Sequence, residues 1–261
     1  TPGYDVSGVV EKVGPGVTSL AEGDQVCGMV GFPLAAGAYA ESVVAREEEL
    51  VKLDGVSLRQ GAALPLAGLT AWQGLLEHGG LQSGQRVLIL AGAGGVGHLA
   101  VQFAAAYGAH VVATASGDNH SFLHSLGASR MVDYHQAGWC TEAITDGPFD
   151  LVLDLVGSES GKAALACVKP GGRLVTVPTI TAQQIKDAGA ELGVEVVGML
   201  VHPDRTQLTQ MLTLLRQGEV KITVSGEYTL AEGALAHQAI EQGHVRGKLL
   251  LRMSAADGQP G

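Results

Sequence analysis

The run Gly92-Ala93-Gly94-Gly95-Val96-Gly97 is the stretch whose residue types and spacing dictate a chemistry most directly. It follows the apolar segment Arg86-Val-Leu-Ile-Leu90 and opens a stretch without charge, Val96 to Tyr107. Glycines let a backbone turn tightly and approach a ligand, and a helix N-terminus offers free N–H groups at its positive dipole end. In this strand–turn–helix setting the pattern predicts a site for the pyrophosphate of a dinucleotide. The next strand, His110 to Thr114, runs out as Thr114-Ala115-Ser116-Gly117. A site selective for a bare ribose carries Asp or Glu there. Ser116 instead leaves room for a 2′-phosphate and can donate to it. Tyr134, after the following strand, is a second candidate donor. An ordinary turn residue at 116 and a half-buried aromatic at 134 are the competing readings.

Other polar clusters carry less. His120 and His124 stand four apart, a spacing that suits a metal, yet with no third ligand they read as a solvated helix face. His98, His110, His135, His202, His237 and His244 show no ligand spacing. Cys27, Cys140 and Cys167 lie far apart in sequence. They predict neither a disulfide framework nor a zinc knuckle, and read as reduced thiols packed as small apolar groups.

The elements that must position these residues fall into three parts. Residues 1–60 read as short strands with Gly/Pro turns: Val6–Val10, a strand from Val26, Ala38–Val44 and Leu50–Leu53, which suggests a small barrel. Leu58 to Glu77 has apolar residues at three- and four-residue spacing and reads as helical, stopped at Gly79-Gly80. From Arg86 strands alternate with helices. After the two strands already named come the helix Ser121–Leu126, strands Met131–Asp133 and Phe149–Asp154, and the helix Gly161–Val168 closed by Pro170-Gly171-Gly172. Strands Arg173–Val177 and Val194–Met199 and the helix Asp204–Gln217 follow. This alternation predicts right-handed βαβ units and a parallel sheet. The end changes again: strands Lys221–Val224 and Lys248–Arg252 flank the helix Leu230–Gln242, and the tail from Ser254 is expected to fray.

Composition agrees with an α/β chain. Hydrophobic residues are 46% of the 261, charged residues 16% and aromatics 4%, which excludes wholesale disorder. A formal net charge of −10 argues against nucleic acid or an anionic membrane as partner. The charge-free run from Val87 to Gly117 is long enough to span a bilayer, but its glycines break it into strand, turn, helix and strand. No signal peptide is read, and the expected location is cytoplasmic.

Gly3-Tyr-Asp-Val-Ser-Gly-Val-Val10, Leu64-Pro-Leu-Ala-Gly-Leu-Thr-Ala-Trp72, the glycine run, Ser116-Gly-Asp-Asn-His120 and His244-Val-Arg-Gly-Lys248 occur in matching order. Together they resemble the zinc-independent, quinone-oxidoreductase-like branch of the medium-chain dehydrogenase/reductase superfamily. The resemblance implies an α/β fold: a Rossmann parallel sheet with a sequence-discontinuous GroES-like β-barrel domain, here missing its N-terminal part. The expected domains are 1–66, first part of the GroES-like domain; 67–219, dinucleotide-binding; and 220–261, the return to the GroES-like domain and a tail. The chain starts at Thr1 without Met, so it is expected to be a fragment or to lack its first part.

The resemblance also implies NADPH as hydride donor and a small-molecule substrate: a quinone, enone or enal. The cofactor-binding set it implies is Thr70, Gly92, Ala93, Gly94, Gly95, Val96, Gly97, Ser116, Asn119, His120, Tyr134, Val156, Val177, Pro178, Met199, Leu200, Val201 and Lys248. No catalytic residue is assigned, although Tyr4 and Asp5 fall near the expected cleft. No metal is expected, because Tyr4 occupies the position of a zinc ligand in zinc-dependent members. Asp118 departs from the Lys or Arg common in that loop and narrows the expected preference for NADPH over NADH, while Asn119 and His120 still donate. A core residue at Tyr4, an edge-strand surface lysine at 248 and a helix-interior hydroxyl at Thr70 are the competing readings. An enoyl-thioester reductase and a non-catalytic dinucleotide-binding protein are the alternative functions, and a homodimer is a possible assembly.

Overall fold

The structure, a computed structural model, describes residues 1–34 and 36–253. The tail from Ser254 lies outside the described residues. The chain divides into two compact units. The first comprises Thr1–Leu69, His202–Gly218 and Ile222–Gly261; the second comprises Thr70–Val201 and Glu219–Lys221.

The chain begins with strands β1 (Asp5–Val9), β2 (Gln25–Met29) and β3 (Leu50–Lys52), which pair antiparallel in that order. Helix α1 (Leu58–Ala63) starts at Ser57, whose hydroxyl accepts from the N–H of Gln60 while Gln60 reaches back to the Ser57 N–H. These reciprocal bonds satisfy two donors that a helix start leaves open. Gly61 presses this helix onto the sheet; a Cβ there would lie 2.6 Å from Leu53 and 2.8 Å from the Ser7 hydroxyl. Helix α2 (Pro65–Trp72) crosses from the first unit into the second, and a turn of π-helix, Gln73–Glu77, continues it.

The second unit is a six-stranded sheet. Its strands are β4 (Arg86–Ile89), β5 (His110–Thr114), β6 (Arg130–Val132), β7 (Phe149–Asp154), β8 (Val168–Thr176) and β9 (Glu195–Gly198). Spatial order is β6-β5-β4-β7-β8-β9, and every neighbouring pair is parallel. Helices α3 (Gly97–Ala106), α4 (His120–Ser125), α5 (Trp139–Ala143), α6 (Ser158–Ala164) and α7 (Thr179–Leu192) provide the crossovers. The order reverses between β4 and β7, the doubly wound arrangement that opens a crevice at the carboxyl ends of the strands. Buried Leu88, Leu90, Val112, Val132, Phe149, Val152 and Leu174 build a core with Ile185 and Cys167. Trp72 meets Phe103 and Tyr107 edge-on at 5.3 and 6.0 Å.

The chain then forms α8 (Arg205–Gln217), β10 (Val224–Thr229), α9 (Gly233–Glu241) and β11 (Lys248–Arg252), with β10 and β11 parallel. Asp204 caps α8 by accepting from Gln207 N–H at 2.8 Å.

Several elements differ from the sequence reading. No strand forms over 38–44: Ala38 and Tyr39 donate to the carbonyls of Gly3 and Pro2, while the side chain of Val44 is fully exposed. Strand β8 begins at Val168, so Pro170-Gly171-Gly172 is an irregularity within it, where the register against β7 shifts between Phe149 and Leu151. The expected strand 221–224 is displaced to Val224–Thr229. Helices α5 and α7 were not expected; α7 buries only Ile185 and Gly189 and so lacks a strong apolar stripe. Helix α8, read as part of 67–219, groups with the first unit. There Met211 lies against Gly68, and Arg205 donates to the Ser19 hydroxyl at 2.8 Å.

Candidate cofactor-binding site

The glycine run occupies the turn between β4 and α3. Thr114, the last residue of β5, fixes its start: its hydroxyl accepts from Ala91 N–H at 3.1 Å and its carbonyl from Gly92 N–H at 2.9 Å. Ala91 adopts φ +52°, the left-handed region that costs a non-glycine residue energy. A Cβ at Gly97 would stand 2.2 Å from the Ala91 carbonyl oxygen, and one at Gly92 would stand 2.8 Å from the Ala113 Cβ. These two glycines therefore serve close packing of turn, helix and strand. Gly94 is less confined, with 3.3 Å to the Ala91 oxygen. Buried His98 braces the turn from behind, its Nδ1 2.9 Å from the Gly94 carbonyl.

No side chain caps α3, and its first turn holds no acid. His98 N–H donates to the Gly94 carbonyl at 3.0 Å and Leu99 N–H to the Val96 carbonyl at 3.1 Å, so the helix winds straight out of the glycine turn, and its dipole places partial positive charge at that turn. The residues present therefore fit an anionic pyrophosphate: a turn that tolerates no Cβ at Gly92 or Gly97, opening a helix without a side-chain cap at the switch point of the sheet.

At the end of β5, Asn119 donates from Nδ2 to the Ser116 hydroxyl at 3.0 Å, and its N–H donates to the Ser116 carbonyl at 2.9 Å. His120 turns back toward the Ala115 carbonyl, 3.4 Å away. Past β6, Tyr134 is half exposed and its ring lies 4.2 Å from that of His135. Asp133, which the sequence reading missed, accepts from the N–H of His135 at 2.9 Å, and its Oδ1 lies 3.0 Å from His135 Nδ1. The His135 backbone N–H, then the imidazole and the Gly117 N–H, hold the Asp133 carboxyl below its ordinary range despite some desolvation. This carboxylate stands beside Gly117 and gives the candidate phosphate pocket a second acid besides Asp118.

A second missed residue is Asp154, at the end of β7. It is fully buried, and its carboxylate accepts from Val156 N–H at 3.0 Å, Gly157 N–H at 2.8 Å and the Thr176 hydroxyl at 2.8 Å. Gly161 leaves room for it; a Cβ there would meet Asp154 Oδ2 at 2.5 Å. Asp154 thus ties the turn that carries Val156 to strand β8. Its sequence signal was present: an acid closing the apolar run Phe149-Asp-Leu-Val-Leu-Asp154.

The expected residues stand as follows. The glycine run, Ser116, Tyr134, Val156, Val177-Pro178 and Met199-Leu200-Val201 each lie just past the carboxyl end of one of the six strands. Asn119 and His120 flank the same edge. Val156 and Leu200 are exposed apolar side chains there, whereas Met199 and Val201 are buried. Thr70 is buried at the start of the second unit. Lys248 belongs to the first unit, at the start of β11, with Nζ 3.7 Å from Asp5 Oδ2. Asp5 also accepts from Leu66 N–H at 2.6 Å, in the first turn of α2. Burial pushes the Asp5 carboxyl above its ordinary value, against the opposing pull of Lys248. Tyr4 packs edge-on against Phe32 at 5.0 Å. Among the described residues no three His, Cys, Asp or Glu side chains are grouped to hold a metal ion.

Sheet order, glycine turn and uncapped helix define a dinucleotide-binding unit joined to a β-rich partner unit. Residues 126–251 match the family described as zinc-binding dehydrogenase, and residues 1–55 match the alcohol dehydrogenase GroES-like domain. The chain belongs to the medium-chain dehydrogenase/reductase superfamily of oxidoreductases and has quinone-oxidoreductase-like relatives. It is 35% identical to the mitochondrial NAD(P)H oxidoreductase RTN4IP1 of Danio rerio, over 95% of this chain and 71% of that protein. It is 37% identical to the 2-methylene-furan-3-one reductase of Solanum lycopersicum, over 96% of this chain and 63% of that protein. The structure of the quinone oxidoreductase from Coxiella burnetii superposes with a TM-score of 0.92 at 39% identity, covering 97% of this chain and 79% of that one.

Proposed function

We propose that this chain reduces quinones or α,β-unsaturated carbonyls with NADPH and without a metal. The observation that carries the reading is the Gly92–Gly97 turn, too tight for side chains at Gly92 and Gly97, opening uncapped α3 at the switch point of a parallel sheet. The dinucleotide supplies the hydride. The backbone of the glycine turn and the positive dipole end of α3 hold the pyrophosphate. Ser116, Asn119, His120 and Tyr134 donate to the 2′-phosphate, opposed by Asp118 and Asp133. Val156, Val177, Pro178 and Leu200 offer an apolar surface to the nicotinamide, buried Met199 and Val201 fix Leu200 between them, and Asp154 keeps the Val156 turn in place. Thr70 completes the binding set within the second unit. Negative charge that develops on the substrate oxygen requires hydrogen-bond donors, and a proton follows from solvent or a side chain.

The zinc-independent reading rests on Tyr4, whose ring is engaged with Phe32. Three free thiols suit a reducing compartment, so the proposed location is the cytoplasm. No described helix is long and apolar enough to cross a membrane. A homodimer through an edge of the six-stranded sheet belongs to the same proposal.

The test is a fluorescence titration with NADPH and NADH, followed by turnover of a panel of quinones, enones and enoyl thioesters. Tighter NADPH binding with turnover of quinones or enones supports the proposal. Turnover confined to enoyl thioesters replaces the substrate class. Binding without turnover leaves a non-catalytic dinucleotide-binding protein, and binding of neither dinucleotide overturns the reading.

A further inference from the structure

Cys140 and Cys167 are 27 positions apart, and the fold brings them together. Cys140 lies on α5, the crossover from β6 to β7, and is partly exposed; Cys167 is fully buried in the turn that leads into β8. Cys167 Sγ approaches the Cys140 carbonyl oxygen at 3.8 Å, and Cys140 Sγ approaches the Ala163 carbonyl oxygen at 3.4 Å. Their proximity holds the Cys140 thiol below its ordinary range and, with burial, pushes Cys167 above it. Cys27, the remaining cysteine, is buried in the first unit, where burial pushes its thiol up to about 12. Thus one thiol is partly exposed, a second sits against its backbone, and the third is buried and inert.

We propose that Cys140 and Cys167 form a peroxide-responsive dithiol, with Cys140 the attacking residue and Cys167 the resolving one. The Cys140 sulfur attacks a hydroperoxide oxygen. An S–O bond forms, the O–O bond breaks, and the departing hydroxide takes up the Cys140 proton as water. The Cys167 sulfur then attacks the Cys140 sulfur. The S–S bond forms, the S–O bond breaks, and the oxygen leaves with the Cys167 proton as a second water. Two electrons pass from the thiols to the peroxide, and the product disulfide ties α5 to the start of β8. This proposal is independent of the reading of the dinucleotide site.

The test incubates the native full chain with excess hydrogen peroxide, removes the peroxide, unfolds the chain in urea, alkylates it without reduction and digests it. The expected result is a linked pair of peptides holding positions 140 and 167, two hydrogens lighter than their sum. Only Cys27 of the three cysteines is then alkylated, and dithiothreitol restores the other two. In Cys167→Ser the same treatment leaves Cys140 as a sulfenic acid that dimedone traps. Three alkylated thiols after peroxide, over-oxidised Cys140 beside free Cys167, or a Cys140 link between two copies would each overturn the proposal. The wild-type arm decides the matter even if the variant does not fold.

Discussion

The two units use their glycines and carboxylates differently. In the sheet unit the middle strands are buried almost throughout: β7 exposes little beyond Asp150, and β4 little beyond Arg86. Most residues of the candidate site there are placed by where a strand stops. In the β-rich unit only β2 is buried nearly throughout, β1 and β11 are half exposed, and β10 alternates along its whole length. Its polar cluster of Asp5, Lys248 and the Leu66 N–H anchors a helix start to two strands. Topology fixes the chemistry in the first case, whereas pairwise contacts fix the structure in the second. A substitution at a strand end of the sheet unit should therefore disturb binding as well as stability. A substitution in the other unit should disturb stability first.

Gly97→Ala should have the largest effect, because its Cβ falls 2.2 Å from a backbone oxygen that cannot move aside freely. We expect a loss of about 2–3 kcal/mol in urea unfolding, and dinucleotide binding weaker by roughly tenfold or more. Wild-type affinity in this variant would break the comparison.

Asp154→Ala leaves two N–H groups and a hydroxyl without their acceptor in the interior. A loss of about 2 kcal/mol is expected, with weakened dinucleotide binding as the Val156 turn loosens. Asp5→Ala, its counterpart in the other unit, removes an acceptor at the start of α2 and should cost about 1–2 kcal/mol. Chemical denaturation of both variants, each with a dinucleotide titration, tests the ordering.

The two units also hold carboxylates shifted in opposite directions. Asp133 lies below its ordinary value of 3.8, so its contribution is present above that value and fades as pH falls through its lower folded pKa. Asp5 lies above 3.8; ionised in the folded state it opposes folding, and that penalty is relieved as pH falls from its raised value toward 3.8. Stability measured against pH should lose its lowest-pH slope in Asp133→Asn and its slope just above 3.8 in Asp5→Asn. The same change in both variants would contradict the assignment.

Gly8→Ala, in β1, should have the smallest effect. A Cβ there meets nothing within 4 Å, so a gain of about 0.5–1 kcal/mol is expected from the stiffer unfolded chain. A thermal melt of this variant beside Gly97→Ala sets the two ends of the scale.

The same contrast explains how much the sequence revealed. Parallel strands buried on both faces read as unbroken apolar runs, so Phe149–Asp154 and His110–Thr114 were legible to the residue. The glycine turn was legible because its sterics are local. Half-exposed segments carry no such signature: 38–44 alternates like a strand yet bonds to a neighbouring backbone only through Ala38 and Tyr39, and β10 begins three residues later than read. Helix α7 escaped because it is polar over most of its surface. Asp133, Asp154 and the meeting of Cys140 with Cys167 depend on which strands become neighbours, and no periodicity encodes that. Asp154 alone left a trace, as an acid at the end of an apolar run.

Gln102, on the helix that opens at the glycine turn, clamps a distant segment: its Nε2 donates to the Lys221 carbonyl at 2.9 Å, and its Oε1 accepts from the Lys221 N–H at 2.8 Å. Residues 219–221 are the short return of the chain into the sheet unit, between two stretches of the β-rich one. During synthesis the whole sheet has emerged by β9, but buried Gln102 waits for its partner until residue 221 leaves the ribosome. The β-rich unit waits longer still, for β11 at 248–252. The nested unit therefore matures first, from the inside of the gene outward. A gene fragment encoding 70–201 alone would leave Gln102 Oε1 without its donor, although Nε2 keeps its bond to the His98 carbonyl, a cost of about 1–3 kcal/mol.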